Sequence, residues 1–209
     1  MTVAALALFA VYLVVGFGVR TVVQVRRTGD SGWRGISGRP GTREWWAGAA
    51  FAAALVAGVL GPVTATFGLD PIDSLTTPLV QIVASGTAAV GITGTFLTQV
   101  AMGSSWRIGV GETETETTDL VTDGPFAVVR NPIFSAMAVT GAGLAFMVPN
   151  IVALLGLALL LVALQLQVRV VEEPYLRRMH GASYVEYQAA VGRFLPWLGR
   201  QRRSLKTGA

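Results

Sequence analysis

The chain has 209 residues, of which 52% are hydrophobic and only 13% are charged, about half the charged share of an average soluble domain. Its mean hydropathy is +0.57. A soluble domain of this size leaves too much of its surface in contact with water to hide so many apolar side chains, and intrinsic disorder requires the opposite composition. Length and composition therefore predict an integral membrane protein.

Residue counts and net charge exclude several kinds of site. The sequence has no cysteine and a single histidine, His180, so we expect no disulfide, no thiolate nucleophile and no metal site. The net charge is +4 and the isoelectric point is about 10.1. In a membrane protein such a charge indicates basic loops that face anionic lipid, so we expect membrane lipid and no nucleic acid among the partners.

Four uncharged stretches follow one another along the chain. Residues 1–19, 45–69 and 74–106 are each long enough for one spanning helix, which needs about 20 apolar residues. The fourth stretch, residues 131–168, is interrupted by Pro149 and Asn150 and predicts two short helices. The sequence therefore predicts an all-α integral membrane protein with about five transmembrane helices.

The basic residues predict the orientation. All sixteen Lys and Arg residues lie in residues 20–44, 107–130 and 169–209, whereas the intervening loops carry only Asp70 and Asp73 as charged residues. Because cytoplasmic loops are enriched in Lys and Arg, we expect the N-terminus outside the cell membrane and the C-terminus in the cytoplasm. The first apolar segment precedes its Arg cluster, which favours a retained anchor over a cleaved signal peptide.

A polar region follows the last predicted span and begins with Glu172, Glu173 and Pro174. Acidic residues and proline favour the first turn of a helix, so a helix start is the simplest interpretation of these residues. We expect this C-terminal helix to lie on the cytoplasmic membrane interface, with His180 on its exposed side. Its apolar side consists of Leu176, Tyr184, Tyr187 and Phe194.

Two motifs stand on the predicted cytoplasmic side. Residues 124–134 read GPFAVVRNPIF, and residues 172–196 read EEPYLRRMHGASYVEYQAAVGRFLP. The first resembles the motif GPY–x3–RHPxY, and the second EE–xxL–xxxxG–xxY–xxY–xxxVxRxxP, of the isoprenylcysteine carboxyl methyltransferase and phospholipid methyltransferase superfamily. We accordingly divide the chain into three N-terminal spans, residues 1–105, and a methyltransferase core, residues 106–209, made of a motif loop, a helical hairpin and C-terminal helices.

This resemblance implies an integral membrane methyltransferase that uses S-adenosylmethionine and methylates a lipophilic acceptor at the cytoplasmic face. Arg130, or the N–H groups that open the following helix, suits the cofactor's carboxylate, and Glu172 or Glu173 suits its ammonium. Aromatic rings suit the sulfonium. The resemblance implies catalytic roles for Arg130 and Glu173, and cofactor binding by Trp106, Gly124, Phe126, Arg130, Asn131, Pro132, Phe134, Glu172 and Glu173.

Two residues depart from the family pattern. Asn131 stands where the family commonly has His, and Phe134 stands where it has Tyr. Asn131 cannot titrate, which removes a general base from that position. A carboxylate acceptor needs no base, whereas an amine or phenol acceptor must lose a proton, for which Glu172 and Glu173 are the nearby candidates.

Several interpretations stay open at this stage. The acidic run of residues 112–119 is interpreted as a solvated loop, with a lid as the alternative. A reductase of the sterol-reductase type that uses NADPH and a non-catalytic membrane protein are the alternative functions. Small residues of the fourth span are predicted to leave room for an apolar acceptor chain, with ordinary helix packing as the alternative; they are Ser135, Ala136, Ala138, Gly141 and Gly143.

Overall fold

A computed structural model describes residues 1–110 and 119–201. Most of the acidic run lies outside these residues. The described part of the chain is helical and has no strand, which confirms the predicted all-α class. Its elements are α1 (Thr2–Leu13), a π-helical segment (Val14–Val19), α2 (Arg20–Thr28), α3 (Arg43–Thr66), a 3-10 turn (Asp73–Leu75), α4 (Pro78–Ala101), a 3-10 turn (Gly103–Ser105), α5 (Pro125–Val128), α6 (Pro132–Met147), α7 (Ile151–Leu166), a second π-helical segment (Gln167–Glu172) and α8 (Glu173–Ala190).

Four helical runs are long and apolar enough to cross a membrane, namely Thr2–Thr28, Arg43–Thr66, Pro78–Ala101 and Ile151–Ala190. The fifth predicted span corresponds to α6, which is apolar but has only 16 residues. At 1.5 Å per residue α6 is about 24 Å long, somewhat shorter than the hydrocarbon core of a bilayer. The five predicted apolar helices are therefore present.

The break between α6 and α7 lies at Pro149 and Asn150, as predicted. The fully buried Asn150 begins α7: its Oδ1 accepts a hydrogen bond of 2.9 Å from the N–H of Ala153. Its Nδ2 donates a 2.8 Å bond to the carbonyl of Gly61 in α3. Both polar atoms of this amide are thereby satisfied inside the bundle, and they tie the hairpin to α3.

Small residues allow the helices to approach closely. A Cβ added at Gly91 of α4 would overlap the backbone of Thr140 in α6, and one added at Gly143 of α6 would overlap the backbone of Ala88 in α4. Lipid tails provide no hydrophobic drive for helix association, so close contact of this kind supplies the packing energy. Gly141 contacts the side chain of Leu160 in α7 and lines a small cavity of about 40 Å³. Close packing therefore contradicts the predicted room beside Gly143, whereas room beside Gly141 stays a prediction.

The helical backbone runs from α7 into α8 without a break, instead of starting anew at Glu172 and Glu173 as predicted. Pro174 cannot donate a helical hydrogen bond, and its ring crowds the preceding turn. The wider turns of the π-helical segment before it accommodate this crowding. A bilayer core takes only about 20 residues of the 40-residue run, so the polar half from Arg169 onward extends beyond the spanning part. At Gly181, where φ is 50°, the helix kinks.

The chain after α8 turns back onto the start of α6. Val129 and Gly192 form an isolated parallel bridge, and the N–H of Arg130 donates to the carbonyl of Gly192 at 2.8 Å. The hydroxyl of Ser135 donates to the carbonyl of Phe194 at 2.7 Å. These bonds hold the C-terminal segment against the first turn of α6.

A buried ion-pair network completes this contact. Glu173 Oε1 accepts bonds from Arg130 Nη2 at 3.0 Å and from Arg193 Nε at 2.7 Å, and its Oε2 accepts from Arg193 Nη2 at 3.0 Å. Arg130 and Glu173 are each only 5% exposed. One carboxylate therefore joins the start of α6, the start of α8 and the C-terminal segment.

The first prediction concerns this network. Glu173→Gln leaves the Arg130 guanidinium buried without a counter-ion, and breaking a buried pair in this way costs about 3–5 kcal/mol. We expect a lower unfolding temperature in detergent, measured by differential scanning fluorimetry. Asp123→Asn, at an exposed carboxylate, is the matched control and should stay within about 0.5 kcal/mol of the wild type. Equal unfolding temperatures for the two variants would contradict a structural role of the network.

The second prediction compares two glycines of α4. Gly91→Ala places a methyl group against the backbone of α6 and should destabilise the protein by about 1–3 kcal/mol, the cost of overpacking. Gly86→Ala is the control, because a Cβ at Gly86 meets nothing within 4 Å and alanine favours the helix. Thermal unfolding of both variants in the same detergent tests the difference. An unaltered Gly91→Ala protein would mean that α4 and α6 are farther apart.

Candidate functional site

A cavity of about 500 Å³ lies where the spanning helices meet the polar motifs, a volume typical of small-molecule sites. Part of its lining is apolar and comes from the first, third and sixth helices, and part is polar and comes from both motifs. The apolar part includes Leu13, Phe17, Phe51, Leu55 and Met137.

Seven of the nine residues predicted to bind the cofactor line this cavity, and Gly124 and Glu173 do not. Gly124 precedes α5 with φ at 53°, a left-handed conformation that glycine adopts without strain. Glu173 is held in the ion-pair network. The seven lining residues are Trp106, Phe126, Arg130, Asn131, Pro132, Phe134 and Glu172.

The second motif positions the first through hydrogen bonds between distant residues. The hydroxyl of Tyr187 donates to the carbonyl of Phe126 at 2.6 Å. Asn131 Nδ2 donates to the carbonyl of Arg193 at 3.1 Å, so the amide that replaces the family's usual His has a structural partner. These bonds explain why the two motifs occur together: each fixes a backbone segment of the other.

Arg130 is nearly saturated by the protein itself. Its Nη1 donates to the carbonyls of Gln188, at 3.0 Å, and Val191, and its Nη2 donates to Glu173 and to the carbonyl of Gly199. Its Nε is buried and has no hydrogen-bond partner among the described residues. Arg130 lines the cavity, and Nε is the guanidinium nitrogen that has no partner among the described residues.

The two adjacent glutamates have opposite electrostatic surroundings. Burial raises the pKa of Glu172 above its usual range, although the charge of Arg107 and a hydrogen bond from Gln167 partly counter it. Burial also acts to raise the pKa of Glu173, but hydrogen bonds from Arg193 and Arg130 outweigh it, and the pKa of Glu173 is lowered. Neighbouring carboxyls whose pKa values are driven apart in this way are suited to different roles.

The N-terminal half contributes a wall that sequence reasoning missed. The N–H of Arg34 donates to the carbonyl of Ile108 at 2.9 Å, and the N–H of Ile108 donates to Gly32 at 2.8 Å. Trp106 is 2% exposed, and the guanidinium of the buried Arg20 lies 4.9 Å from the centre of its ring. Trp106 is thus already engaged with a cation of the protein. Glycines at three-residue intervals in residues 29–41 were the available signal for this ordered loop.

Gln99 is another part of the cavity lining that the sequence analysis did not predict. It lines the cavity from α4 and is 5% exposed. The available signal was an uncharged polar side chain near the end of an apolar span, since such residues face the protein interior. By contrast, His180 does not line the cavity; it is half-buried, and its Nε2 is buried, so its predicted place on the exposed side is wrong.

Comparison with known proteins identifies the family. A search of curated proteins finds no match to the chain. A model of the phospholipid methyltransferase family matches residues 79–183, which is 105 of the 209 residues. The matched segment contains α4 after its first residue, the first motif, the α6–α7 hairpin and the start of the second motif. The chain therefore belongs to the phospholipid methyltransferase family and is a membrane methyltransferase.

Proposed function

We propose that this protein transfers a methyl group from S-adenosylmethionine to a lipophilic acceptor at the cytoplasmic face of the membrane. The observation that carries the proposal is a cavity of about 500 Å³ that is lined both by the two motifs and by apolar residues of the spans. A polar cofactor and an apolar acceptor need those two kinds of surface side by side.

The residues of the cavity fit the cofactor. When bound, S-adenosylmethionine supplies an electrophilic methyl group on a sulfonium. Arg130 retains one buried unpaired donor, Nε, and a carboxylate would satisfy it through a charge-assisted bond. Glu172 provides an anionic partner for the ammonium, and the rings of Phe126 and Phe134 provide uncharged aromatic surface for the sulfonium.

Glu173 acts in this proposal as a positioning residue. It contacts Arg130 and Arg193 and does not line the cavity. By holding the Arg130 guanidinium, Glu173 fixes the orientation of the N–H on Nε. Catalysis by positioning requires preorganisation of this kind. Glu172, and not Glu173, is then the carboxylate that contacts a ligand.

The acceptor occupies the apolar part of the lining. Phe17, Phe51 and Met137 suit a hydrocarbon chain and exclude water, which protects the reaction from competing solvent. An acceptor that must lose a proton needs a base, and Glu172 is the motif glutamate that lines the cavity. Because this apolar lining comes from the first helix, α3 and α6, we expect the acceptor to enter from the bilayer.

The third prediction tests the orientation, which rests on the positive-inside distribution of Lys and Arg. Because the chain has no cysteine, Leu205→Cys and Ser74→Cys each carry a single label site. We expect a membrane-impermeant maleimide to label intact cells at position 74 and to reach position 205 only after permeabilisation. The reverse pattern would place the C-terminus outside.

The fourth prediction tests the cofactor. Glu172→Gln removes the anionic partner of the ammonium and should weaken S-adenosylmethionine binding by about 1.5–3 kcal/mol, the worth of a charge-assisted hydrogen bond, which is about 10- to 150-fold in Kd. Isothermal titration calorimetry of purified protein measures the effect. Asp123→Asn, whose exposed carboxylate lies outside the cavity lining, should bind like the wild type.

Two further measurements complete this test. Transfer of labelled methyl from S-adenosylmethionine into a lipid extract, followed by partition into organic solvent, establishes the reaction. Titration with NADPH tests the alternative cofactor. Saturable NADPH binding without S-adenosylmethionine binding would refute the proposed function and favour a reductase.

A further inference from the structure

The amide of Gln99 is buried at the cavity and only half satisfied. Its Nε2 donates a 3.0 Å hydrogen bond to the carbonyl of Gly16, which lies in the first π-helical segment. Its Oε1 is buried and has no hydrogen-bond partner among the described residues. A carbonyl can only accept, so the NH₂ group must face Gly16 and the orientation of the amide follows from chemistry.

An unsatisfied buried acceptor is costly, by about 1–3 kcal/mol, and such groups call for a specific explanation. Six side chains in the described residues carry a buried unpaired nitrogen or oxygen. Among those six, Gln99 and Arg130 are the residues that line the cavity. Arg130 offers a donor, which suits the cofactor's carboxylate. Gln99 offers an acceptor, which an N–H or O–H group of a ligand would satisfy.

The surroundings of Gln99 indicate which ligand supplies that donor. Leu13, Phe17 and Met102 line the cavity together with Gln99. All three belong to the spans or to their ends, and none belongs to the two motifs that hold the cofactor in the proposed function. π-helical turns such as the one that includes Gly16 are frequent at functional sites. Gln99 therefore belongs to the part of the cavity that suits the acceptor.

We propose that Gln99 Oε1 accepts a hydrogen bond from the methyl acceptor and selects lipophilic alcohols, phenols or amines over molecules of the same shape that lack an N–H or O–H. This inference rests on the proposed function and names its substrate class. A site built to bond a polar hydrogen rejects an analogue without one, because the buried acceptor is then left unpaired.

The test uses two related probes, para-dodecylphenol and its methyl ether, in which a methyl group replaces the hydroxyl hydrogen. Their binding to detergent-purified protein is measured by calorimetry for the wild type, Gln99→Met and Gln81→Met. Methionine matches glutamine in length but does not supply the amide's donor and acceptor. Gln81 lies on the same helix outside the cavity lining, so Gln81→Met is the matched control.

The measured quantity is the phenol-to-ether ratio, which is the affinity for the phenol divided by the affinity for the ether in the same protein. We expect this ratio to be about 2- to 12-fold higher in the wild type and in Gln81→Met than in Gln99→Met, which is the fold-change of one hydrogen bond. The Kd for S-adenosylmethionine should be the same in all three proteins. An unchanged phenol-to-ether ratio in Gln99→Met would overturn the inference. Weaker S-adenosylmethionine binding with an unchanged ratio would assign Gln99 to the cofactor and would also overturn it.

Two features keep the result interpretable. Gln99→Lys retains an N–H for the Gly16 carbonyl and lacks an acceptor, so it replaces Gln99→Met if thermal unfolding shows that the latter is misfolded. Probe binding requires no methyl transfer. If the wild-type protein does not bind S-adenosylmethionine, the proposed function is refuted. If it binds S-adenosylmethionine but Gln99→Met leaves the phenol-to-ether ratio unchanged, this inference alone is refuted.

Discussion

The site depends on one buried carboxylate. Glu173 receives hydrogen bonds from Arg130 and Arg193, residues that are 63 positions apart in the chain. Two guanidiniums brought close together without an anion would repel each other in surroundings poor in water. The carboxylate thereby allows Arg130 to sit at the edge of the cavity and the C-terminal segment to dock on α6. Because the network is buried, removing one member costs far more than removing an exposed ion pair.

Helix packing decides where the cavity lies. Along α6, Gly143 lies so close to the backbone of α4 that no side chain fits between them, and Gly141 contacts Leu160 of α7. Nearer its start, Phe134 and Met137 face the cavity instead. The same helix thus uses its small residues for cohesion in lipid, where packing supplies the association energy, and its large apolar residues to line the ligand site.

Adjacent residues in the second motif divide the chemistry. Glu173 is held ionised by guanidiniums, while Glu172 lines the cavity with a raised pKa. Sequence position cannot separate these roles, because the two residues differ only in the direction in which one helix presents them. The cavity also draws on Gln99 and on the loop around Trp33, so both halves of the chain build the site.

Composition and periodicity determined a great deal by themselves. A chain so apolar needs a bilayer, the uncharged stretches located five helices, and the two motifs predicted six of the residues that line the cavity. Tertiary structure alone decided the rest: the packing of Gly141 and Gly143, the engagement of Trp106 by Arg20, and the unpaired acceptor of Gln99. The physical reason is common to all three. Each depends on which face of a helix meets a partner that is distant in the chain, and a sequence pattern records the helix but not its partner.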